Sequence, residues 1–220
     1  MTNEQTNRLC EMFKDTYTGA VSDCLDRSGY RNQMLPYYIN PLNRSHKIIG
    51  PAFTGFGEGH DNPKENDTSM RVKMLEKVPM GCISVWQTAN DLSCAHWGEI
   101  MSKAARNKGC VGAVIDGGAR DLEMILEMDF PLFYRFSSPA SSVGRWSIRD
   151  FDIPITIGQT TINPGDLFIA DIDGVVIVPI SIAHEIAHEM KRLTSSETMM
   201  RKDLKDGTAI TEVYKKYGEF

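Results

Sequence analysis

The stretch covering residues 98–121 constrains the fold most strongly, because it joins a helix pattern to a buried-strand pattern. Residues 99–108 have the apolar spacing of a helix, and Gly109 supplies a signal for its end. Residues 111–115 form a short apolar run, typical of a strand buried on both faces. A helix of about ten residues rises about 15 Å, and a strand of about five rises about 16 Å. A strand that runs back along the helix therefore returns to the level of Glu99.

Three charged side chains flank this helix and strand. Glu99 opens the helix, and Arg120 and Asp121 follow a predicted glycine-rich turn at residues 116–119. A guanidinium stays charged at any working pH and makes forked contacts with a carboxylate or keto oxygen. A carboxylate is a hard ligand suited to Mg²⁺ or Mn²⁺, and the free amides of a first helical turn bind anions. The alternative is a solvated Arg–Asp pair, with Asp121 capping a helix at residues 121–128.

The order of these residues resembles a known signature. Glu99, twenty intervening residues and then Arg120-Asp121 resemble the acidic-x20-Arg-Asp motif of the class II pyruvate aldolases. These are the 4-hydroxy-4-methyl-2-oxoglutarate and 4-carboxy-4-hydroxy-2-oxoadipate aldolases, whose relatives include the regulator of ribonuclease E activity A. The resemblance extends from about residue 16 to residue 218. Further matching stretches are residues 21–26, 50–54, 91–95, 130–131, 164–166 and 170–176.

The resemblance implies a fold and an assembly. The irregular order of strand and helix patterns by itself indicates an α/β or α+β domain. The family adds the layered β/β/α swivelling-type fold shared with phosphohistidine domains, here as a single domain over residues 1–220 with N- and C-terminal helices. Such proteins are usually built as homotrimers or homohexamers. A neighbouring subunit's C-terminal segment then completes each site, and Glu212 and Glu219 are the candidates for that contribution here.

The resemblance also implies a chemistry. Mg²⁺ or Mn²⁺ on Asp121 and the guanidinium of Arg120 would polarise the keto group of a small 2-oxo acid and stabilise a pyruvate enolate. Cleavage of a 4-hydroxy-2-oxo acid then releases pyruvate, and loss of carbon dioxide from oxaloacetate gives the same enolate. Glu99 would act through a bound water in proton transfer or in outer-sphere contact with the metal.

The same resemblance places the substrate carboxylate at the start of the helix. The backbone amides of Ile100 and Met101, beside Gly98, would hold it. The first alternative to this lyase is a non-catalytic regulator of the same fold that binds a ribonuclease. The presence of all three charged residues in the motif disfavours that alternative.

A second alternative comes from a different motif. His184, Glu185 and His188 match His-Glu-x-x-His on a predicted helix, the pattern of zinc metallopeptidases. No Gly-x-x-His extension follows, and nothing local supplies a third ligand. A solvated amphipathic helix is therefore the favoured interpretation of this segment.

Composition excludes several classes of function. The chain has 220 residues and 41% hydrophobic content, enough for one sizeable core. Its net charge of −5 argues against a nucleic-acid partner bound by charge. No apolar run approaches the roughly 20 residues of a membrane span, and the polar start is unlike a signal peptide. Five cysteines without metal-ligand spacing indicate reduced thiols, which predicts a cytoplasmic protein.

The remaining patterns predict the elements around the site. Helices are predicted at residues 3–15, 182–204 and 208–217, with Thr18 capping another that ends at Gly29. Asp173-Gly174 indicates a hairpin between strands at residues 167–170 and 175–178. On the predicted helix at residues 99–108, one apolar face is formed by Ile100, Met101, Ala104 and Ala105.

Three residues near the motif have open roles. Trp97 is predicted to pack in the core, whereas His96 is left between packing and substrate selection. Residues 137–149 are predicted as an ordinary surface loop, the alternative being a flap in which Arg145 is a second anion contact.

Overall fold

The computed structural model describes residues 3–62 and 68–218, in which strands and helices alternate irregularly. The strands are β1 (Asn40–Pro41), β2 (Ile48–Gly59), β3 (Ile83–Gln87), β4 (Ala95–Trp97), β5 (Gly112–Ala119), β6 (Leu132–Ser137), β7 (Trp146–Phe151), β8 (Ile155–Ile157), β9 (Thr160–Ile162), β10 (Leu167–Asp171) and β11 (Gly174–Val178). The helices are α1 (Asn3–Met12), α2 (Thr18–Arg27), α3 (Thr68–Lys77), α4 (Glu99–Asn107), α5 (Leu122–Glu127), α6 (Ala183–Lys205) and α7 (Ile210–Tyr217).

Nine of the strands form one mixed sheet in the order β1-β6-β5-β3-β2-β10-β11, with β4 beside β5 and β7 beside β2. The pairs β2–β3, β3–β5 and β5–β6 are parallel, whereas β10 and β7 each run antiparallel to β2. Parallel strands need cover on both faces, and β5 accordingly is buried along its whole length. The carboxyl end of β5 therefore leads directly from the core to Arg120.

Three apolar clusters cover the sheet. One lies between the sheet and α3, α4 and α5 and contains the tryptophans Trp86, Trp97 and Trp146. A second fills the opposite face beneath the small β8–β9 ribbon. The third packs α1, α2 and α6 against the β10–β11 hairpin. This arrangement confirms the predicted mixed α/β fold with helices at its N- and C-terminal ends, and it confirms the predicted hairpin.

The predicted glycine-rich turn at residues 116–119 is wrong, because β5 continues through Ala119. The glycines serve a close approach of neighbouring chain instead. A Cβ at Gly117 would lie 2.5 Å from His96 Nδ1, and one at Gly118 would lie 2.5 Å from the Cys94 carbonyl oxygen. Without these two side chains, the short strand β4, which the sequence patterns did not predict, pairs with the end of β5.

Two further local predictions are wrong. Thr18 does not cap α2; instead Asp171 accepts both the Thr18 amide (2.8 Å) and the Thr18 hydroxyl (2.6 Å), which ties the helix to the end of β10. Ile100 does not belong to the buried face of α4, since its exposed fraction is 77%. The buried face is centred on Ser102 and Ala105.

No helix among residues 3–62 and 68–218 combines the length and the apolar character that crossing a membrane requires.

Gly118→Ala tests whether the contact between β4 and β5 limits stability. The new Cβ meets a backbone carbonyl that cannot rotate away, so we expect a loss of about 1–3 kcal/mol in the free energy of unfolding. Gly19→Ala is the matched control, because Gly19 is an exposed position of α2 and a Cβ there meets only the edge of the Tyr17 ring, at 3.3 Å. That substitution should be neutral or stabilise by up to about 1 kcal/mol. Urea unfolding of both variants checks this, and equal stabilities would contradict it.

Candidate active site

The end of β5 and the start of α4 meet at one place on the surface. The Arg120 amide donates to the Trp97 carbonyl at 3.0 Å, which holds the chain after β5 beside the chain that enters α4. The Glu99 amide donates to Asp121 Oδ2 at 3.4 Å, and Arg120 Nε lies 3.6 Å from the same oxygen. The structure thus brings together the three motif residues, separated by twenty positions in the chain.

Asp121 has a left-handed backbone, with φ 58° and ψ 35°. A non-glycine residue adopts this conformation only at a cost, although Asp tolerates it better than most residues. Its side chain makes no capping hydrogen bond to α5. The predicted alternative, in which the carboxylate of Asp121 caps that helix, is therefore wrong, and the carboxylate faces the first turn of α4.

Gly98 makes this approach possible. Its backbone is extended, and a Cβ there would lie 2.9 Å from Asp121 Oδ2 and 3.4 Å from Arg120 Cγ. A side chain at position 98 would fill the space next to the carboxylate. The amides of Ile100 and Met101 lie in the first turn of α4, where a helix has no internal acceptor for its N–H groups.

The carboxylate of Glu99 points elsewhere. It forms an ion pair with Lys103 one turn along α4, and its side chain is 13% exposed. Only the Glu99 amide contacts Asp121. The catalytic role predicted for the Glu99 carboxylate remains a prediction.

These groups open on a pocket of about 310 Å³. Its apolar lining comes mainly from α3, α4 and the segment before β7. The charged groups in its described lining are two guanidiniums and one carboxylate. The lining residues are Arg71, Val72, Leu75, Ala95, His96, Trp97, Gly98, Ile100, Met101, Arg120, Asp121, Ser141, Ser142 and Val143. The other predicted site residues were Gly98, Glu99, Ile100 and Met101. Of these four, Gly98, Ile100 and Met101 line the pocket, and Glu99 does not.

Arg71 and Ser142 were not predicted from the sequence. Arg71 Nη2 donates to Ser142 Oγ at 2.8 Å, and Arg71 Nε is buried with no acceptor among the described residues. Burial lowers the pKa of the Arg71 guanidinium, and the positive charge of Arg120 acts in the same direction. No local motif marks Arg71, because its place in the pocket depends on how α3 packs against β7 and α4.

His96 forms part of the pocket wall, and both of its ring nitrogens are hydrogen-bonded to other residues of the chain. Its Nδ1 accepts the Gly118 amide at 2.9 Å, so the neutral ring carries its proton on Nε2, which donates to Asp91 Oδ2 at 3.0 Å. Burial lowers the pKa of His96 and keeps the ring neutral. Trp97 is buried as predicted, and its indole N–H donates to Ser102 Oγ at 2.8 Å.

Asp91, Cys94 and His96 form the one group of three metal-ligating side chains found in residues 3–62 and 68–218. A metal would need the lone pair of His96 Nε2, which is the nitrogen that carries the proton. Burial raises the pKa of the Cys94 thiol to about 11, so the thiolate is disfavoured. Asp91 already accepts from Ser93 as well as from His96. The cluster is therefore a structural network that fixes β4 against β5.

The segment before β7 is not the ordinary surface loop predicted for residues 137–149. Ser142 and Trp146 are buried, with exposed fractions of 4% and 2%, and β7 begins at Trp146. Arg145 is no part of the pocket that contains Arg120. It donates to the Ser141 carbonyl and borders a separate depression with His60 and Asp61.

The His-Glu-x-x-His motif lies on α6 with His184, Glu185 and His188 all exposed. Within the part of the chain that the structure describes, these side chains belong to no group of three possible metal ligands. The zinc peptidase alternative therefore has no assembled site there. Glu212 is exposed on α7, and Glu219 lies outside the described residues.

Comparison with known proteins identifies a matching family model and several similar proteins. The family model described as RraA-like, Aldolase/RraA, matches residues 18–177. A "Putative 4-hydroxy-4-methyl-2-oxoglutarate aldolase" of Halalkalibacterium halodurans is 29% identical over 202 residues, covering 92% of this chain and 91% of that protein. Protein DlpA of Legionella pneumophila is 27% identical over 212 residues, 95% of this chain. The chain spans 34% of the length of DlpA.

Solved structures show the same fold. RraAS2 of Streptomyces coelicolor, described as an unusual member of the RNase ES inhibitor RraA protein family, has a TM-score of 0.80 at 26% identity. The match covers 88% of this chain and 96% of that one. A structure described among novel cellulases from microbes of the gut ecosystem has a TM-score of 0.84 at 35% identity, covering 90% and 88%.

Replacing His96 tests its buried, neutral state. Burial lowers the pKa of His96 below the ordinary 6.5. Just below pH 6.5 the ring therefore binds a proton in the unfolded chain but not in the folded one. The stability that this ring contributes is present above pH 6.5 and is lost as pH falls below it, by at most about 1.4 kcal/mol per pH unit. Urea unfolding between pH 5 and 8 should show a weaker acid dependence for His96→Gln than for the wild type. Parallel curves for the two proteins would contradict this.

Proposed function

The chain belongs to the RraA-like Aldolase/RraA family, and on that premise we propose that it is a divalent-metal-dependent lyase that cleaves a 4-hydroxy-2-oxo acid to release pyruvate. One observation carries the proposal. The carboxylate of Asp121, the guanidinium of Arg120 and the free amides of α4 converge on one open pocket. The name of the Halalkalibacterium relative supports an aldolase.

The residues present fit Mg²⁺ or Mn²⁺ bound through few protein ligands. The side chain of Asp121 is 38% exposed, and the absence of a Cβ at Gly98 leaves room beside its Oδ2. Mg²⁺ is commonly held by one or two carboxylates and several waters. Asp121 is the proposed ligand, and a cation bound there supplies Lewis-acid polarisation of the substrate keto group.

The chain's own groups supply the rest of the proposed chemistry. The substrate carboxylate binds at the amides of Ile100 and Met101, where a helix start favours an anion. When the bond between C3 and C4 breaks, the C4 hydroxyl loses its proton and C4 becomes a carbonyl. The electron pair of the bond moves toward C3 and the keto oxygen, and Arg120 donates hydrogen bonds to that oxygen. A proton added at C3 then completes pyruvate. Glu99 is proposed to move a proton through a water, which requires its carboxylate to leave Lys103.

Oxaloacetate is proposed as a second substrate, since loss of its C4 carboxylate leaves the same electron pair on C3. The proposed assembly is a homotrimer or homohexamer in which a neighbour's C-terminal segment completes the site. A cytoplasmic location is proposed because all five cysteines are free. Neither nucleic acid nor membrane enters the proposal.

A regulator that binds a ribonuclease is the second candidate, favoured by the structural match to a member of the RNase ES inhibitor family. A glycoside hydrolase needs two carboxylates facing one cleft. Among the described residues that line the pocket, Asp121 supplies the one carboxylate. The pocket therefore does not support a cellulase activity, although one similar structure is described among cellulases.

Release of pyruvate from a panel of 4-hydroxy-2-oxo acids and from oxaloacetate tests the proposal. Activity should be lost after treatment with a chelator and should return with Mg²⁺ or Mn²⁺, because the proposed ligand is an oxygen. A lactate dehydrogenase coupled assay measures the pyruvate. No release from any member of the panel with either metal would leave the regulator as the better candidate.

Substitutions of Arg120 and of Asp121 should reduce the rate of pyruvate release in different ways. Asp121→Asn keeps the shape but loses the charge for the cation, so higher metal concentration should partly restore its rate. Arg120→Lys keeps the charge but loses the planar fork, so its rate should stay lower by about 10²–10³ at any metal concentration. Arg106→Lys, at the exposed far end of α4, is the matched control. Folded variants with the wild-type rate on both substrates would refute the lyase.

A further inference from the structure

Arg71 is a partly buried guanidinium with no counter-charge among the described residues. It forms no ion pair with any described carboxylate; its hydrogen bond goes to the neutral hydroxyl of Ser142, at 2.8 Å, and its Nε has no acceptor. A buried charge normally has a partner, because removing it from water costs free energy that only pairing offsets. Among the described residues no carboxylate offsets the charge of Arg71, so its guanidinium is open to an anion that enters the pocket.

The described lining of the pocket carries a surplus of positive charge. Two guanidiniums and one carboxylate line it, while His96 is neutral. The carboxylate, on Asp121, lies 3.6 Å from Arg120 and so compensates that guanidinium rather than Arg71. The positive charge of Arg120 also disfavours the charged form of Arg71 and lowers its pKa, after the larger effect of burial.

The two guanidiniums enter the pocket from different elements. Arg71 comes from α3 and is held by the segment before β7, whereas Arg120 follows β5. The walls that they share are apolar and include Leu75, Met101 and Val143. A molecule with two anionic groups joined by a short carbon chain has the chemistry that this lining would recognise.

We propose that Arg71, positioned by Ser142, binds a second carboxylate of the substrate, so that the site selects dicarboxylic 2-oxo acids over monocarboxylic ones. This rests on the proposed function, because it takes the first carboxylate and the keto group to lie at α4 and Arg120. Arg71 is then a specificity-determining residue. The rival role is structural, in which Arg71 only fastens Ser142 to α3.

Two probes of equal carbon length separate these roles. 2-Oxoglutarate and 2-oxopentanoate share five carbons and a 2-oxo acid group and differ in the second carboxylate. Neither has a 4-hydroxyl group, so neither can be cleaved in the proposed reaction. Calorimetric titration in Mg²⁺ therefore measures binding alone. The wild type should bind 2-oxoglutarate more tightly than 2-oxopentanoate.

Arg71→Met should reduce this preference by about 10- to 100-fold, the range for losing a hydrogen bond to a charged group. Lys73→Met is the matched control, because it removes the same charge from an exposed position of the same helix and should keep the preference. Ser142→Ala, which leaves Arg71 in place without its hydroxyl partner, should give a smaller reduction. It also keeps the test open if Arg71→Met does not fold.

The results that would overturn the role of Arg71 differ from those that would refute the proposed lyase. Equal binding of the two probes by the wild type, binding of neither probe, or an unchanged preference in both folded pocket variants would overturn the role of Arg71. A reduction in Arg71→Met matched by Lys73→Met would show a general charge effect and would also overturn it. Failure of the proposed function shows separately, as a wild type that releases no pyruvate from any 4-hydroxy-2-oxo acid while still preferring 2-oxoglutarate.

Discussion

The close contact between β4 and the end of β5 is the constraint on which the candidate site depends. Gly117 and Gly118 permit it, because any side chain at either position would overlap His96 or the chain at Cys94. His96 then fastens the two strands by accepting the Gly118 amide. If β4 stood farther away, Gly98 would not lie beside Asp121, and the amides of α4 would not face the same space as the carboxylate.

The local backbone reinforces that constraint. A left-handed residue costs about 1–3 kcal/mol, less for Asp than for a branched residue. At position 121 this conformation turns the carboxylate away from α5 and toward the Glu99 amide. A glycine would adopt the same backbone without strain but would lack the ligand. The strained backbone thus places the carboxylate of Asp121, which is the group that the proposed chemistry uses.

Local patterns in the sequence were sufficient for α4, for the buried character of β5 and for the approach of Arg120 and Asp121 to the start of α4. They did not place the Glu99 carboxylate, which pairs with Lys103. They were insufficient where long-range packing decides. The strand β4 is only three residues long and forms because glycines in β5 admit it. Ile100 has the helical spacing of a core residue, yet it faces the pocket because the buried face of α4 is set by Ser102 and Ala105. Arg71 could not be found at all, since α3 carries no motif that connects it to Arg120.

Charge balance links the proposed metal to the proposed selectivity. The described lining of the pocket has one net positive charge, from Arg71 and Arg120 against Asp121. A divalent cation on Asp121 would add two more. In a partly desolvated pocket such a surplus is costly, and a dianionic substrate offsets more of it than a monoanion does. A protein that works only by surface docking gives no comparable reason for the uncompensated charge of Arg71.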